Sequence, residues 1–196
     1  MVTMSSSVMF SMPLQSTLSH SDHVFLRAVL EGFADGILIL AEDGSCIHSN
    51  QEGRAICRNL SANSHGVPPC LWAMGKQLLD SRELFPDHSL VLTQQFTAQG
   101  GDQIRARVQW LDLPSASETY LLISLENQTR STYTSALLEA VQYNLTPREK
   151  DVWLLRRASR SYDEIAKALY ITVNTVKRHI KNINAKRREV TELMAN

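Results

Sequence analysis

The sequence predicts an α+β unit built on a five-stranded antiparallel sheet, followed by a linker helix and an all-α helical module. Three observations carry that reading. Between residues 23 and 127, five short strand-like runs bounded by Gly, Pro, Asp and Asn are interrupted by two helical patterns. Near the C-terminus, three helix N-cap signatures crowd into residues 145–196. Between the two regions the charge reverses: residues 1–144 hold 8 Lys and Arg against 14 Asp and Glu, a net −6, and residues 145–196 hold 12 against 6, a net +6. The formal net charge of zero conceals this asymmetry, which points the basic part toward a polyanion.

Composition sets the outer bounds. Of 196 residues, 43% are hydrophobic and 20% charged, near the averages for folded proteins, which argues against a wholly disordered or coiled-coil chain. Apolar runs such as Gly36 to Ala41 fall far short of the ~20 residues a membrane span requires. The first basic residue is Arg27, so the Met- and Ser-rich opening lacks the basic start of a secretory signal, and a cytoplasmic protein with no membrane partner is expected. Cys46, Cys57 and Cys70 form neither a CxxC pair nor an even set, which suits free thiols in a reducing compartment.

Residues 1–22 carry no helical or strand periodicity and read as a flexible tail. From His23 to Phe33, apolar residues at Val24, Phe25, Leu26, Val29, Leu30 and Phe33 predict a helix that covers one edge of the core. Gly36 to Asn50 reads as two strands joined across Asp43-Gly44, a dipeptide suited to a tight hairpin turn. Gln51 to Leu60 predicts a short helix, Ser61 to Pro69 a loop, and Leu71 to Leu84 a second helix stopped by Pro86. Three strands follow, at Ser89 to Ala98, Gln103 to Leu113 and Thr119 to Glu126. In the middle one Ile104, Ala106, Val108 and Trp110 alternate with Arg105, Arg107 and Gln109, predicting one buried and one solvated face. With Asp35-Gly36-Ile37 opening the first strand and Asn50 ending the second, residues 23–127 resemble a PAS domain, a resemblance that implies a sensor or interaction role. Residues 128–144 form the linker helix, with Tyr133, Leu137, Ala140, Val141 and Asn144 on one face; that face either pairs with a second copy or packs on its own sheet.

Residues 145–196 carry the chemistry. Thr146-Pro147-Arg148-Glu149 is a capping box with Pro at the first helical position, Ser161 to Glu164 repeats the box, and Thr172 caps a third helix. Helices therefore begin near 147, 162 and 173. The first should bury Val152 and Leu155, the second Ile165, Ala166 and Leu169, and Tyr170-Ile171-Thr172 leaves room only for the tight turn of a helix-turn-helix. At ~100° per residue, Val173, Val176, Ile180 and Ile183 share one side of the third helix. The opposite side gathers Asn174, Lys177, Arg178, Lys181 and Ala185 and contains no acid. Such a face suits the major groove, where Arg or Lys donates to guanine and Asn pairs with adenine. His179, at the margin of the buried stripe, reads as a packing residue. Arg148, Lys150, Arg156, Arg157 and Arg160 divide between phosphate contact and plain solvation.

Leu145 to Val152 and Glu164 to Ile183 together resemble the LuxR-type helix-turn-helix. That resemblance implies DNA-binding by Lys177, Arg178 and Lys181 in the groove, with Thr172 and Thr175 near phosphate; Asn174 joins them from the azimuth argument. It also implies double-stranded DNA as partner, a homodimer, and a contact with RNA polymerase. The chain as a whole looks similar to cyanobacterial transcription regulators that join a PAS domain to this module. Two departures matter. Arg157 and Ser159 stand where the family often has Ala and Gly, so the first turn is expected to be shaped differently. No Gly-containing turn follows Ile183, and continuing the third helix would return Arg187 to the buried azimuth, so a break near Lys186 and a short fourth helix through Val190, Leu193 and Met194 are expected.

Other chemistries find little support. No His or Cys pair has the spacing of a structural zinc site, and nothing around His48, His65 or His88 marks an axial haem ligand, so no cofactor or metal is expected. No nucleophile and base pair, phosphate-cradling glycine loop or paired catalytic carboxylate suggests an enzyme. The alternative to a DNA-binding regulator is a protein-interaction adaptor that uses the helix-turn-helix as a partner surface beside a ligand-free PAS domain.

Overall fold

The computed structural model describes residues 20–61, 66–85, 88, 90–111 and 119–194. The tail at 1–19, His65, Pro86, Ser89 and the expected turn after the fourth strand lie outside the described residues.

The alternation of apolar and polar residues produces the sheet. Strands β1 (Gly36–Ala41), β2 (Cys46–Ser49), β3 (Val91–Thr97), β4 (Gln103–Leu111) and β5 (Tyr120–Asn127) pair antiparallel throughout in the order β2-β1-β5-β4-β3. Register places Leu38 and Val108 on either side of Ile123, so these apolar side chains fall on one face. Leu38, Leu40, Ile104, Val108, Leu121, Ile123 and Leu125 are fully buried there, against Ile56 and Cys57 of α2 (Gln51–Leu60) and Leu71, Met74 and Leu78 of α3 (Pro69–Leu84). On the other face Arg105 Nη1 lies 3.4 Å from Glu126 Oε2, beside the apolar pair Ile39 and Leu122. Trp110, expected inside, is only half-buried at the rim, where the Arg82 guanidinium stacks 4.7 Å from its ring. This is the α+β architecture, a five-stranded antiparallel sheet with helices on one face, that the pattern predicts.

Two local devices hold this unit together. Gly44 takes a φ of 87° in the β1–β2 turn, and a Cβ there would lie 2.9 Å from the Trp72 ring, so the turn closes directly onto α3. Asn50 is fully buried and uses both ends of its amide. Its Oδ1 accepts from Ile37 N and Gly53 N, each at 2.8 Å, capping α2, while its Nδ2 donates to Asp35 O at 2.9 Å and Leu30 O at 3.1 Å.

The first helix corrects an expectation. α1 spans His20–Glu31 rather than 23–33, and its apolar stripe does not cover the core: Val24, Phe25, Leu26, Val29 and Phe33 are all exposed. The last turn is tied down. Leu30 O binds Asn50, and the Glu31 carboxylate takes Gln51 N at 2.6 Å and Arg54 Nη2 at 3.3 Å.

After β5 the chain turns into α4 (Gln128–Gln142), α5 (Pro147–Arg157), α6 (Tyr162–Leu169) and α7 (Val173–Met194). These share a second core of Ala136, Val152, Trp153, Ile165, Ala166, Val176 and Ile183. The linker helix is thus a member of the C-terminal bundle. Its buried residues are Ala136 and Ala140, whereas Tyr133, Val141 and Asn144 of the expected face are exposed. The reason is steric: two alanines let α5 approach, and the Trp153 indole reaches across to donate to Glu139 Oε2 at 2.9 Å. Among the described residues no helix is long and apolar enough to cross a membrane.

Replacing Asn50 with Ala strands four backbone groups, two of them buried, and should lower the stability of the sheet unit by about 2–4 kcal/mol, read by urea unfolding. An unchanged midpoint would show that water replaces the amide at no cost.

Candidate nucleic-acid interface

The three caps form as the sequence dictates. Thr146 Oγ1 accepts from Glu149 N and the Glu149 carboxylate returns to Thr146 N at 3.0 Å; Ser161 and Glu164 repeat the arrangement, with Ser161 N 2.8 Å from Glu164 Oε2. Hydrogen bonds from Ser161 and Arg160 hold the Glu164 carboxyl below its ordinary range. At the third, Thr172 Oγ1 accepts from Thr175 N at 3.2 Å and lies 2.9 Å from the Thr175 hydroxyl. Between α6 and α7 the chain turns in three residues, with Tyr170 at φ 56° and Ile171 N closing onto Ala166 O at 3.0 Å.

The buried stripe of α7 is as the azimuths predict. Val176 and Ile183 of α7 are fully buried, Val173 and Ile180 half-buried, and His179 half-buried at the margin. Of the expected partners, Ile165, Ala166 and Val152 are buried while Leu155 and Leu169 are half-buried. Trp153, which the sequence reading missed, is 7% exposed. Its signal was available in outline: a bulky aromatic next to Val152, opposite a helix carrying Ala at 136 and 140.

The opposite side of α7 presents Asn174, Lys177, Arg178 and Lys181 to solvent. Thr172 is exposed beside them, and Thr175 is half-buried with its hydroxyl engaged by Thr172. None of Lys177, Arg178 or Lys181 has a side-chain hydrogen bond or ion pair among the described residues, so no carboxylate there competes with an incoming anion. The flanking cations differ. Arg157 Nε is held by Glu139 at 3.0 Å and Arg160 by Glu164 at 3.2 Å, Arg148 sits 3.9 Å from Asp151, and Lys150 is exposed.

The expected break at Lys186 is absent. α7 runs unbroken through Met194, with Val190, Leu193 and Met194 on that same helix. Lys186 leaves the core by reaching sideways: its Nζ donates to Asn144 O at 3.0 Å and to Glu149 Oε2 at 2.8 Å. Arg187 does return toward the buried azimuth, but the core has ended and it borders an open cavity instead. Glu149 is 5% exposed. Burial pushes its carboxyl up, yet hydrogen bonds from Lys186 and from the Thr146 amide and hydroxyl outweigh that and hold it below the ordinary glutamate value. Ser159, standing where Gly often falls, takes the φ of 61° that Gly adopts readily, so this turn keeps a left-handed conformation without the glycine.

No group of three or more His, Cys, Asp or Glu side chains converges as metal ligands do among the described residues. His48 keeps an unpartnered buried Nε2 on the edge strand β2, and His88 is exposed. Cys57 is buried and its thiol is pushed up to about 11 by burial, Cys46 is raised by the same cause, and Cys70 is half-buried in the first turn of α3.

A bundle whose third helix follows a three-residue turn and turns a cationic side outward is a helix-turn-helix. Residues 143–188 match the model of the bacterial regulatory proteins of the luxR family, so this helix-turn-helix is of the luxR type. No curated protein matches the chain. Among solved structures the chain is similar to a phage VqmA–DPO complex, at 18% identity over 91% of this chain and 90% of that one, TM-score 0.40. It is also similar to the PAS domain of an HTR-like protein from Haloarcula marismortui (18% identity, 55% and 97% covered, TM-score 0.39). A third is the PAS domain of nitrogen regulation protein NR(II) from Vibrio parahaemolyticus (16% identity, 52% and 96% covered, TM-score 0.36).

Because Glu149 titrates lower folded than unfolded, its contribution is complete at neutral pH and is lost as the pH falls through the folded value. Glu149→Gln should therefore cost about 1–3 kcal/mol at pH 7. The gap from wild type should close in acid, as urea unfolding at several pH values will show; a gap independent of pH would remove the charge from the account.

Proposed function

We propose that the protein is a sequence-specific DNA-binding transcription regulator and that α7 is its reading helix. One observation carries this: Asn174, Lys177, Arg178 and Lys181 stand exposed on the side of α7 opposite its buried aliphatic stripe, with no acid among them. A helix of this kind fits the major groove of B-DNA, where Arg and Lys donate to guanine O6 and N7 and Asn pairs with adenine N6 and N7. In this reading Thr172 and Thr175, at the start of α7, would turn hydroxyls to phosphate, and the helix N-terminus adds its dipole there.

In this reading residues 23–127 form the sensor or interaction unit, 128–144 link it, and 145–196 bind DNA. Two copies would engage half-sites about one helical turn apart. Pairing is supported by the large apolar side chains that α1 leaves in solvent, Phe25 at 67% exposure among them. A signal at the sheet unit would act as a population shift, by favouring one pairing of the two modules over another. A contact with RNA polymerase is part of the same proposal, and the reaction class is binding, without catalysis. A cytoplasmic site of action follows from the DNA target.

Binding to the chain's own upstream DNA should weaken linearly in log–log terms as salt rises, by about −0.9 for each phosphate neutralised. Arg178→Ala should cost about 1–3 kcal/mol and relax preference at one base position, measured by fluorescence anisotropy on an operator series. A salt-independent affinity, or no binding at physiological salt, would turn the reading toward the adaptor.

A further inference from the structure

The unbroken course of α7 builds a second cationic feature, apart from its reading face. A cavity of about 460 Å³ opens between the end of α5, the start of α6 and the second half of α7. Arg156, Arg157 and Arg187 border it, together with Ser159, Tyr162 and Asn184, and no acidic side chain lines it. Its floor is the apolar pair Trp153 and Ile180.

Three guanidiniums around one opening repel one another unless something compensates them. Glu139 compensates only one, holding Arg157 through Nε at 3.0 Å. Arg156 is oriented without being neutralised: its guanidinium lies 5.6 Å from the Tyr162 ring centroid, and its Nη1 donates to Arg160 O at 3.3 Å. Arg187 has no side-chain partner among the described residues. The remaining polar groups at the rim, the Ser159 and Tyr162 hydroxyls and the Asn184 amide, can all donate. Ser159 is moreover held at φ 61°, and left-handed non-glycine residues gather at binding sites.

The geometry points to an anion site that takes a phosphate group. Planar arginine forks match phosphate oxygens two at a time, and low-dielectric walls focus the field of the uncompensated pair. Phosphate of this kind has two sources, the backbone of bound DNA flanking the reading helix and a free phosphate ester. The phosphate arm of the test below does not rest on the DNA-binding reading.

The test uses the full chain. Inorganic phosphate at about ten times its dissociation constant should raise the thermal midpoint by about 3 °C above sodium chloride at matched ionic strength. Arg187→Ala and Arg156→Ala, both at exposed positions, should abolish that difference. If the source is DNA, Arg187→Ala also makes the salt slope of DNA binding less negative by about 0.9; if it is a free ester, the slope is unchanged while the phosphate shift is lost. Equal responses to phosphate and chloride together with an unaltered slope in Arg187→Ala overturn the site. So does a phosphate shift that survives in both variants. Should the wild type fail to bind DNA yet keep its phosphate response, the regulator reading falls and the site stands.

Discussion

The orientation of α7 depends on one buried carboxylate. Glu149 sits in the first turn of α5, where its side chain closes the cap on Thr146, and the same oxygen that serves the cap takes Lys186 Nζ from the middle of α7. Lys186 also donates to Asn144 O, so the connection between α4 and α5, the start of α5 and the far half of α7 meet at one point. Burying a charge is costly unless it is paired and hydrogen-bonded, and here three donors offset the desolvation. The consequence is geometric. With Val176 and Ile183 pinned below and Lys186 pinned at the side, α7 has one rotation about its axis, and that rotation sets which residues face outward.

The sheet unit solves the same problem with a neutral group. Asn50 satisfies two amides and two carbonyls from three separate stretches of backbone, joining the end of α1, the start of β1 and the first turn of α2. Its amide does so without a net charge, so no titration weakens it. Between the two hubs runs α4, hydrogen-bonded at both ends. At its start Gln103 N donates to Thr129 Oγ1 and Arg130 pairs with Glu52 of α2; farther along, Glu139 takes the Trp153 indole and Arg157. A displacement of the sheet unit therefore has a direct mechanical route to α5, which is the element that Glu149 links to α7.

How much of this was legible in the sequence follows from the range of the forces involved. The caps, the hairpin turn, the strand alternation and the aliphatic stripe of α7 are local, decided within about four residues, and the sequence displayed them because local hydrogen bonding and periodicity are written there. The misread parts were decided at long range. The stripe of α1 looked like a core face, but periodicity says only that a face is apolar and cannot say what covers it. The face of α4 was misplaced by one helical position because two small alanines, not the larger Tyr133 and Val141, marked where a neighbour comes close. The break near Lys186 was inferred from Arg187 reaching the buried azimuth, but the core has ended at that turn and Arg187 borders an open cavity. Beside it Lys186 is drawn to a carboxylate 37 positions away, a partner no local pattern could name.

Three residues of the bundle adopt the left-handed conformation. α4, α5 and α6 each close near a residue of positive φ, Asn144, Ser159 and Tyr170, and none of the three is glycine. A left-handed conformation costs a non-glycine residue roughly 1–2 kcal/mol, so the bundle carries conformational energy that glycine would relieve. What the side chains return differs at each turn. Asn tolerates the region through its short polar group, and the carbonyl of Asn144 receives Lys186. Ser159 sets its hydroxyl at the rim of the arginine-lined cavity. Tyr170, 96% exposed one residue before Ile171 and two before the cap of α7, makes no packing contact that would explain its size. A bulky aromatic is thus held out beside the start of α7 at a conformational cost, outside the core that supports the helix.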